Sequence, residues 1–159
     1  MVASVQATNQ PTNGPRDLPK DLLYVKITTP DRVVFEGKAR SLQFPTEDGL
    51  VGILPGHASM ITTVDVGLLK MKLPDGKLTY FVLTRGFGEV RHHFGNGTEV
   101  RLTVDSGENP EIVDLERAQR AAERARRRLA EKDIKIDQPR AEYALKRALI
   151  RLQAKKIQM

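Results

Sequence analysis

The chain contains no cysteine among its 159 residues, which removes disulfides, thiolate nucleophiles and cysteine metal sites together and fits a reducing compartment. No apolar stretch approaches the roughly 20 residues needed to span a bilayer as a helix. The first twenty residues, Met1 to Lys20, lack the apolar core of a secretory signal, are poor in arginine and show no amphipathic period. No phosphate-cradling G-x-x-x-x-G-K-[ST] occurs, and Gly86-Phe87-Gly88 lacks the third glycine of a dinucleotide fingerprint. His92 and His93 are adjacent, so on a strand they face opposite sides and make a poor metal pair. Nothing in these residues resembles a catalytic constellation, and the chain reads as a non-enzymatic protein with no cofactor.

What is present is charge, unevenly placed. Hydrophobic residues make up 40% and charged residues 29%, the balance of a globular protein, with a formal net charge of +6. From Glu108 to Met159 there are 14 Lys/Arg against 9 Asp/Glu, or +5, whereas the first 107 residues hold 12 against 11, or +1. The basic last third suits an acidic partner: nucleic acid, anionic lipid, a nucleotide or an acidic protein surface.

Met1 to Lys20, rich in Thr, Asn, Gln, Pro and Gly, reads as a disordered extension. Short strand-like runs broken by turns then follow from residue 21 to 107: Leu23–Thr28, which alternates apolar and polar, then Val33–Gly37, Arg40–Phe44, Met60–Val66, Leu68–Leu73, Leu78–Leu83, Phe87–His92 and Val100–Val104. Turn chemistry separates them, as at Pro74-Asp75-Gly76. Strands at this spacing predict an antiparallel sandwich or flattened barrel.

The pattern changes at Ser106-Gly107-Glu108-Asn109-Pro110, and residues 108–159 read as a second unit. Leu115, Ala118, Ala122, Ala125 and Leu129 recur at steps of three and four, and Ala141, Leu145, Ala148 and Leu152 do likewise. They predict two helices, from Asp114 to about Lys132 and from Asp137 to about Lys155. The short connection makes them an antiparallel hairpin, so the fold class is α+β in two domains. A seam of Ala and Leu buries little area at roughly 25 cal/mol per Å². The hairpin is therefore expected to be marginal alone and able to open or redock.

Between two of the strands lies Gly49-Leu50-Val51-Gly52-Ile53-Leu54-Pro55-Gly56-His57, an apolar run interrupted by glycine and proline and preceded by the polar Glu47-Asp48. It reads as a strand entering a rigid turn whose glycines, Gly52 among them, supply backbone angles that side chains forbid, so that valine in place of Gly52 is expected to disrupt it. The order closely resembles the G-x-L-G-I-x-P-G-H stretch of the epsilon subunits of bacterial F-type ATP synthases, with Val51 in place of Leu. The resemblance extends from about Leu23 to Leu152 and includes a second signature. Val113-Asp114-Leu115-Glu116-Arg117-Ala118 resembles the [I/L]-D-x-x-R-A motif of ATP-responsive epsilon subunits, with Val113 departing from Ile or Leu. Arg140 to Ala148 and Arg151 also match such subunits.

The resemblance implies a non-catalytic central-stalk subunit, peripheral on the cytoplasmic face of the bacterial inner membrane and not inserted in it. The sandwich would bind the gamma subunit and the c-subunit ring, with Glu47, Asp48, Gly49, Leu50, Gly52, Pro55, Gly56 and His57 at the subunit interface. The helices would extend toward the alpha/beta catalytic head to block ATP hydrolysis, the basic stripe Arg120, Arg124, Arg127 and Arg128 meeting acidic segments there. ATP would be a regulatory ligand favouring the docked hairpin. It would be held by Glu108, Asp114 and Arg117 on its adenosine part, by Val113 and Ala118 along the base, and by Arg124, Arg147 and Arg151 on the phosphates.

The same residues also carry plainer meanings. Asp114 suits a helix N-cap with Val113 and Ala118 as a hydrophobic staple. Ile136-Asp137-Gln138-Pro139-Arg140-Ala141 repeats the hexad at the second helix start, so the pattern encodes helix starts as well. His57 suits a turn-locking hydrogen bond, and the arginine stripe a solvated face. Two other functions use the same features: a nucleic-acid-binding module, disfavoured because the first helix lacks aromatics and alternates Arg with Glu, and a stand-alone ATP sensor.

Overall fold

The computed structural model describes residues 18–93, 96–131 and 135–158. Ten strands come first: β1 (Leu23–Thr28), β2 (Val33–Ala39), β3 (Ser41–Thr46), β4 (Gly49–Ile53), β5 (Met60–Val64), β6 (Gly67–Lys72), β7 (Leu78–Leu83), β8 (Gly86–His93), β9 (Gly97–Val104) and β10 (Gly107–Glu108). A 3-10 turn, Pro110–Ile112, leads into the helices α1 (Leu115–Ala130) and α2 (Gln138–Gln158).

The strands form two five-stranded sheets, ordered β2-β1-β9-β8-β5 and β10-β7-β6-β3-β4. Neighbours pair antiparallel except β1 and β9, which run parallel with Leu23 opposite Thr98 and Thr28 opposite Thr103. Alternation decides which face of each strand turns inward. Leu23, Val25 and Ile27 of β1, Leu69 and Met71 of β6, and Val100 and Leu102 of β9 are fully buried, while Lys70 and Lys72 between them are exposed. Phe44, Leu42, Ile53 and Leu83 complete the layer between the sheets. Where β8 starts beside β9, glycine is required by space: a Cβ on Gly86 would lie 2.0 Å from the carbonyl oxygen of Thr103.

Of the expected disordered extension, residues 1–17 lie outside the described ones, whereas Leu18 is buried against Leu22 and Tyr24. The connection expected at Asp133–Ile136 likewise falls partly outside them. The strand expected over Met60–Val66 ends at Val64, because Asp65 turns the chain: its carboxylate accepts from the Val66 amide at 2.7 Å and its own amide donates to the Pro45 carbonyl at 3.0 Å.

Both helices start on an aspartate. The Asp114 carboxylate accepts from the Arg117 amide at 2.9 Å, and that of Asp137 accepts from the Arg140 amide at 3.1 Å. The repeated hexad thus has the same capping use twice. α1 lies along α2, and α2 makes the main contacts with the sandwich, against β6, β7 and the 3-10 turn. The buried seam is alanine: Ala118, Ala122 and Ala125 on α1, and Ala141, Ala148 and Ala154 on α2. Leu115 is exposed instead of joining it. Each methyl contributes less than about 1 kcal/mol; on the sandwich, Ile150 and Ala154 pack with Leu68, Val82 and Val113, and polar contacts add to the docking. These are Lys146 to Asp65, Arg151 to Glu108 and Lys155 Nζ donating to the Glu111 carbonyl. The Arg85 guanidinium also stacks 4.0 Å from the centre of the Tyr143 ring.

Candidate functional site

The site grows from the junction where the sandwich ends. β10 adds two residues to the edge of the second sheet, pairing Gly107 with Leu83 and Glu108 with Val82. The 3-10 turn is capped by Asn109, whose side chain accepts from the Glu111 amide at 2.9 Å, and Pro110 supplies the preset dihedral of a first helical position. The turn delivers Val113 into a small cluster with Val82 and Ala154. That anchor places the Asp114 cap and the first turn of α1 over the end of β10.

The result is a pocket of about 550 Å³ lined by Glu108, Val113, Asp114, Arg117, Ala118, Arg124, Arg147 and Arg151, together with Arg32, Ile112 and Ala121. All eight residues singled out by the second signature are brought to this one cavity. Arg140, in the duplicate hexad, is not among its lining residues. The walls come from three places: the sandwich, α1 and α2.

Electrostatically the pocket is cationic, with five guanidinium groups against two carboxylates. Arg151 is engaged: its Nε donates to Oε2 of Glu108 at 2.9 Å and its Nη2 to Oε1 at 2.6 Å. This hydrogen bonding holds the Glu108 carboxyl below its ordinary range; partial burial opposes it, and the charges of Arg151, Arg117 and Arg32 reinforce it. The same pair keeps Arg151 firmly protonated. Arg32, Arg117, Arg124 and Arg147 form no ion pair within 4.0 Å among the described residues. Arg147 lies 4.9 Å from the centre of the Tyr143 ring. Guanidinium forks presented to one cavity suit a multiply charged phosphate, which they bind bidentately. The apolar Val113, Ala118, Ile112 and Ala121 offer a surface for a flat ring.

The second group of residues lies elsewhere. Glu47 and Asp48 form the exposed β3–β4 turn, closed by the Thr46 hydroxyl donating to the Gly49 carbonyl at 2.8 Å. Leu50 and Leu54 are 65% and 62% exposed, one on β4 and one just past its end. Pro55, Gly56 and His57 make a tight turn in which the His57 amide donates to the Leu54 carbonyl at 3.0 Å and the Gly56 amide to the Thr98 hydroxyl at 2.9 Å. The His57 ring bonds the Ala58 carbonyl at 2.8 Å, a local contact within the turn. Of the glycines, Gly49 and Gly56 have φ of +123° and +88°. Gly52 does not have a positive φ, and a Cβ built on it meets nothing within 4 Å. The expectation that Gly52 is demanded by backbone geometry is therefore corrected: it sits in regular strand, opposite Gln43, over open space.

Among the described residues no group of three or more His, Cys, Asp or Glu is placed to hold a metal ion. His92 and His93 turn to separate partners, Nδ1 of His92 to the Thr98 hydroxyl at 3.2 Å and Nε2 of His93 to Glu99 at 3.4 Å. Sequence reasoning missed Arg32. It stands in a Pro-Asp turn more than seventy residues from the rest of the site, and only the packing of one sheet on the other brings the β1–β2 turn beside β10.

Taken together, the molecule is a β-sandwich that ends in a helical pair folded back on it, with an anion-suited pocket at the junction. Comparison with known proteins identifies that class. A model of the ATP synthase delta/epsilon chain β-sandwich domain matches residues 22–108, and one of the delta/epsilon chain long α-helix domain matches residues 112–156. The chain is 37% identical over 131 residues to the ATP synthase epsilon chain of an Exiguobacterium species, covering 82% of this chain and 93% of that one. It is 40% identical over 131 residues to that of Symbiobacterium thermophilum, with coverage of 80% and 88%. In three dimensions it is similar to a chain of the Euglena gracilis mitochondrial ATP synthase, at TM-score 0.69 and 22% identity, covering 82% of this chain and 78% of that one. The chain belongs to the delta/epsilon family of ATP synthase subunits. As an epsilon chain it is a non-catalytic part of that complex, and none of its described helices is long and apolar enough to cross a membrane.

Proposed function

We propose that this chain works in the central stalk of a proton-translocating ATP synthase on the cytoplasmic face of a bacterial membrane. Its sandwich would bind the gamma subunit and the c-subunit ring and so help couple proton flow to rotation. Its hairpin would act as an ATP-sensitive brake on hydrolysis in the alpha/beta head. A chain of the solved Tetrahymena thermophila mitochondrial ATP synthase central stalk and c-ring is similar in fold, at TM-score 0.51 and 14% identity, covering 86% of this chain and 95% of that one.

The observation that carries the regulatory part is the pocket, because its walls belong to the sandwich and to both helices at once. A ligand bound there meets its full set of contacts only while the hairpin is docked. It therefore favours that state by its differential affinity and by no more. At a hundred times its dissociation constant a ligand seen by one state alone contributes about 2.7 kcal/mol, enough to reset a marginal docking equilibrium. ATP fits on chemical grounds: phosphates for Arg124, Arg147 and Arg151, the adenosine part for Glu108, Asp114 and Arg117, and an apolar wall of Val113 and Ala118 for the base.

The test is calorimetric titration of the isolated chain with ATP, followed by hydrolysis assays of the assembled complex. Arg117→Ala and Arg147→Ala each remove a charge-assisted contact and weaken binding by roughly ten- to a hundredfold. Both also deepen inhibition at moderate ATP. Arg140→Ala, which alters the duplicate hexad outside the pocket, changes neither. No heat of binding at millimolar ATP, or an effect of Arg140→Ala as large as that of Arg117→Ala, would sink the proposal.

A further inference from the structure

We propose that Arg32, on the turn between β1 and β2, is a further anion-binding residue of the pocket and that it makes the bound phosphates bridge the hairpin to the sandwich. The inference rests on the reading of the pocket as a nucleotide site and extends it to a residue on a different element.

Arg32 lines the cavity together with the arginines of α1 and α2. Its backbone is fixed by the turn: the Thr29 amide donates to the Arg32 carbonyl at 2.9 Å, and the Arg32 amide donates to the Thr29 hydroxyl at 3.3 Å. From there the side chain reaches along the sheet edge, and its Nη2 donates to the Gly107 carbonyl at 3.5 Å, the upper limit of such a bond. That contact sets the guanidinium beside Glu108, whose carboxyl feels its charge. Among the described residues it is the one hydrogen bond of the Arg32 side chain, and no carboxylate pairs with it. A guanidinium has five donors in a planar fork, so most of that fork is free to face the cavity.

The mechanical consequence differs from that of the helix arginines. Arg124 stands on α1 and Arg147 on α2, so phosphates between them clip helix to helix and leave the sandwich out. Arg32 stands on the sandwich. A polyphosphate that also meets Arg32 is held on both sides of the docking interface, and the hairpin cannot leave without giving up that contact. The plain alternative is that Arg32 only steadies β10 through the Gly107 carbonyl. Charge and hydrogen bonding separate the two roles, because glutamine keeps a donor and loses the charge.

The experiment titrates the full chain and its Arg32→Ala, Arg32→Gln and Arg32→Lys variants with ATP and, separately, with inorganic tripolyphosphate. Melting curves without ligand check that each variant is folded. Arg32→Ala and Arg32→Gln are expected to weaken both ligands by about tenfold, the low end for an exposed charged contact, with Arg32→Lys recovering part of the loss. Full affinity in Arg32→Gln, or in Arg32→Ala, overturns the inference while leaving the ATP site standing. Absence of ATP binding in the unaltered chain sinks the nucleotide reading instead; tripolyphosphate binding that still depends on Arg32 would then uphold its role toward anions, and binding indifferent to Arg32, or none, would remove both.

Discussion

Glu108 and Arg151 meet through two parallel hydrogen bonds, at 2.6 and 2.9 Å, and so tie the last strand of the sandwich to the last two turns of the second helix. The two side chains are 27% and 26% exposed, enough shielding for the pair to count. Charge-assisted bonds of this kind contribute about 1.5–3 kcal/mol. Glu108→Gln and Arg151→Met should each loosen α2, and the double variant should cost less than the sum of the two. Hydrogen exchange of the 138–158 amides measures it; strict additivity would show that the pair does not couple.

Acid should release the hairpin. Contact with Arg151 holds the Glu108 carboxyl below its ordinary value of 4.5. At Asp65 burial pushes upward, but the Lys146 hydrogen bond, the Val66 amide and the charges of Lys146 and Arg85 together bring the carboxyl below its ordinary 3.8. Both groups therefore bind protons less readily when the hairpin is docked. Their stabilisation is complete above the ordinary values and is lost as the pH falls through the lowered ones. Docking, followed by a fluorescent pair placed on α2 and β7, should be flat from neutrality to about pH 5 and fail below. Glu108→Gln should flatten that fall; an unchanged profile would assign it to other groups.

The glycines of the second site sort by geometry. Gly56 has φ of +88°, so Gly56→Ala should cost the free chain about 1 kcal/mol. Gly52→Ala should leave thermal stability unchanged within about 0.5 kcal/mol, since the position is open and its backbone ordinary. A coupling defect of Gly52→Val in the assembled enzyme would then report contact with a neighbouring subunit and not misfolding. Gly86→Ala provides the contrast: its methyl meets a backbone carbonyl, and a loss of at least about 2 kcal/mol is expected.

Amide exchange should rank the two halves. Residues 115–130 and 138–158, joined by an alanine seam, should exchange faster than β1, β9 and β3, whose inward faces are fully buried. Equal protection throughout would show that sandwich and hairpin unfold as one unit.

The parts legible in the sequence were those written locally. Period-two alternation marked Leu23–Thr28 and a short apolar run after a turn marked Leu78–Leu83, both strands with their observed limits, and the Asp114 and Asp137 caps marked where the helices begin. The eight residues of the second signature are close in space because a helix start, a strand end and one helical face converge, and the resemblance carried that convergence where periodicity could not. What escaped was long-range. A two-residue strand such as β10 has no period to detect, and Arg32 looked like an ordinary turn residue. Gly52 misled because a dense motif does not reveal which of its glycines the backbone needs; only φ separates Gly56 from Gly52.

The parallel pairing of β1 with β9 also bears on how the chain is made. Val25 finds its partner Val100 only after the intervening strands have been synthesised. The first sheet cannot be completed until residue 104 is available, nor the second until Glu108 follows. Contacts so distant in sequence form slowly, because a long loop must close before they reward it. During translation the sandwich therefore lacks the β1–β9 pairing, and with it a complete first sheet, for most of its synthesis. It closes just before the helices emerge, so the hairpin meets a finished surface on which to settle.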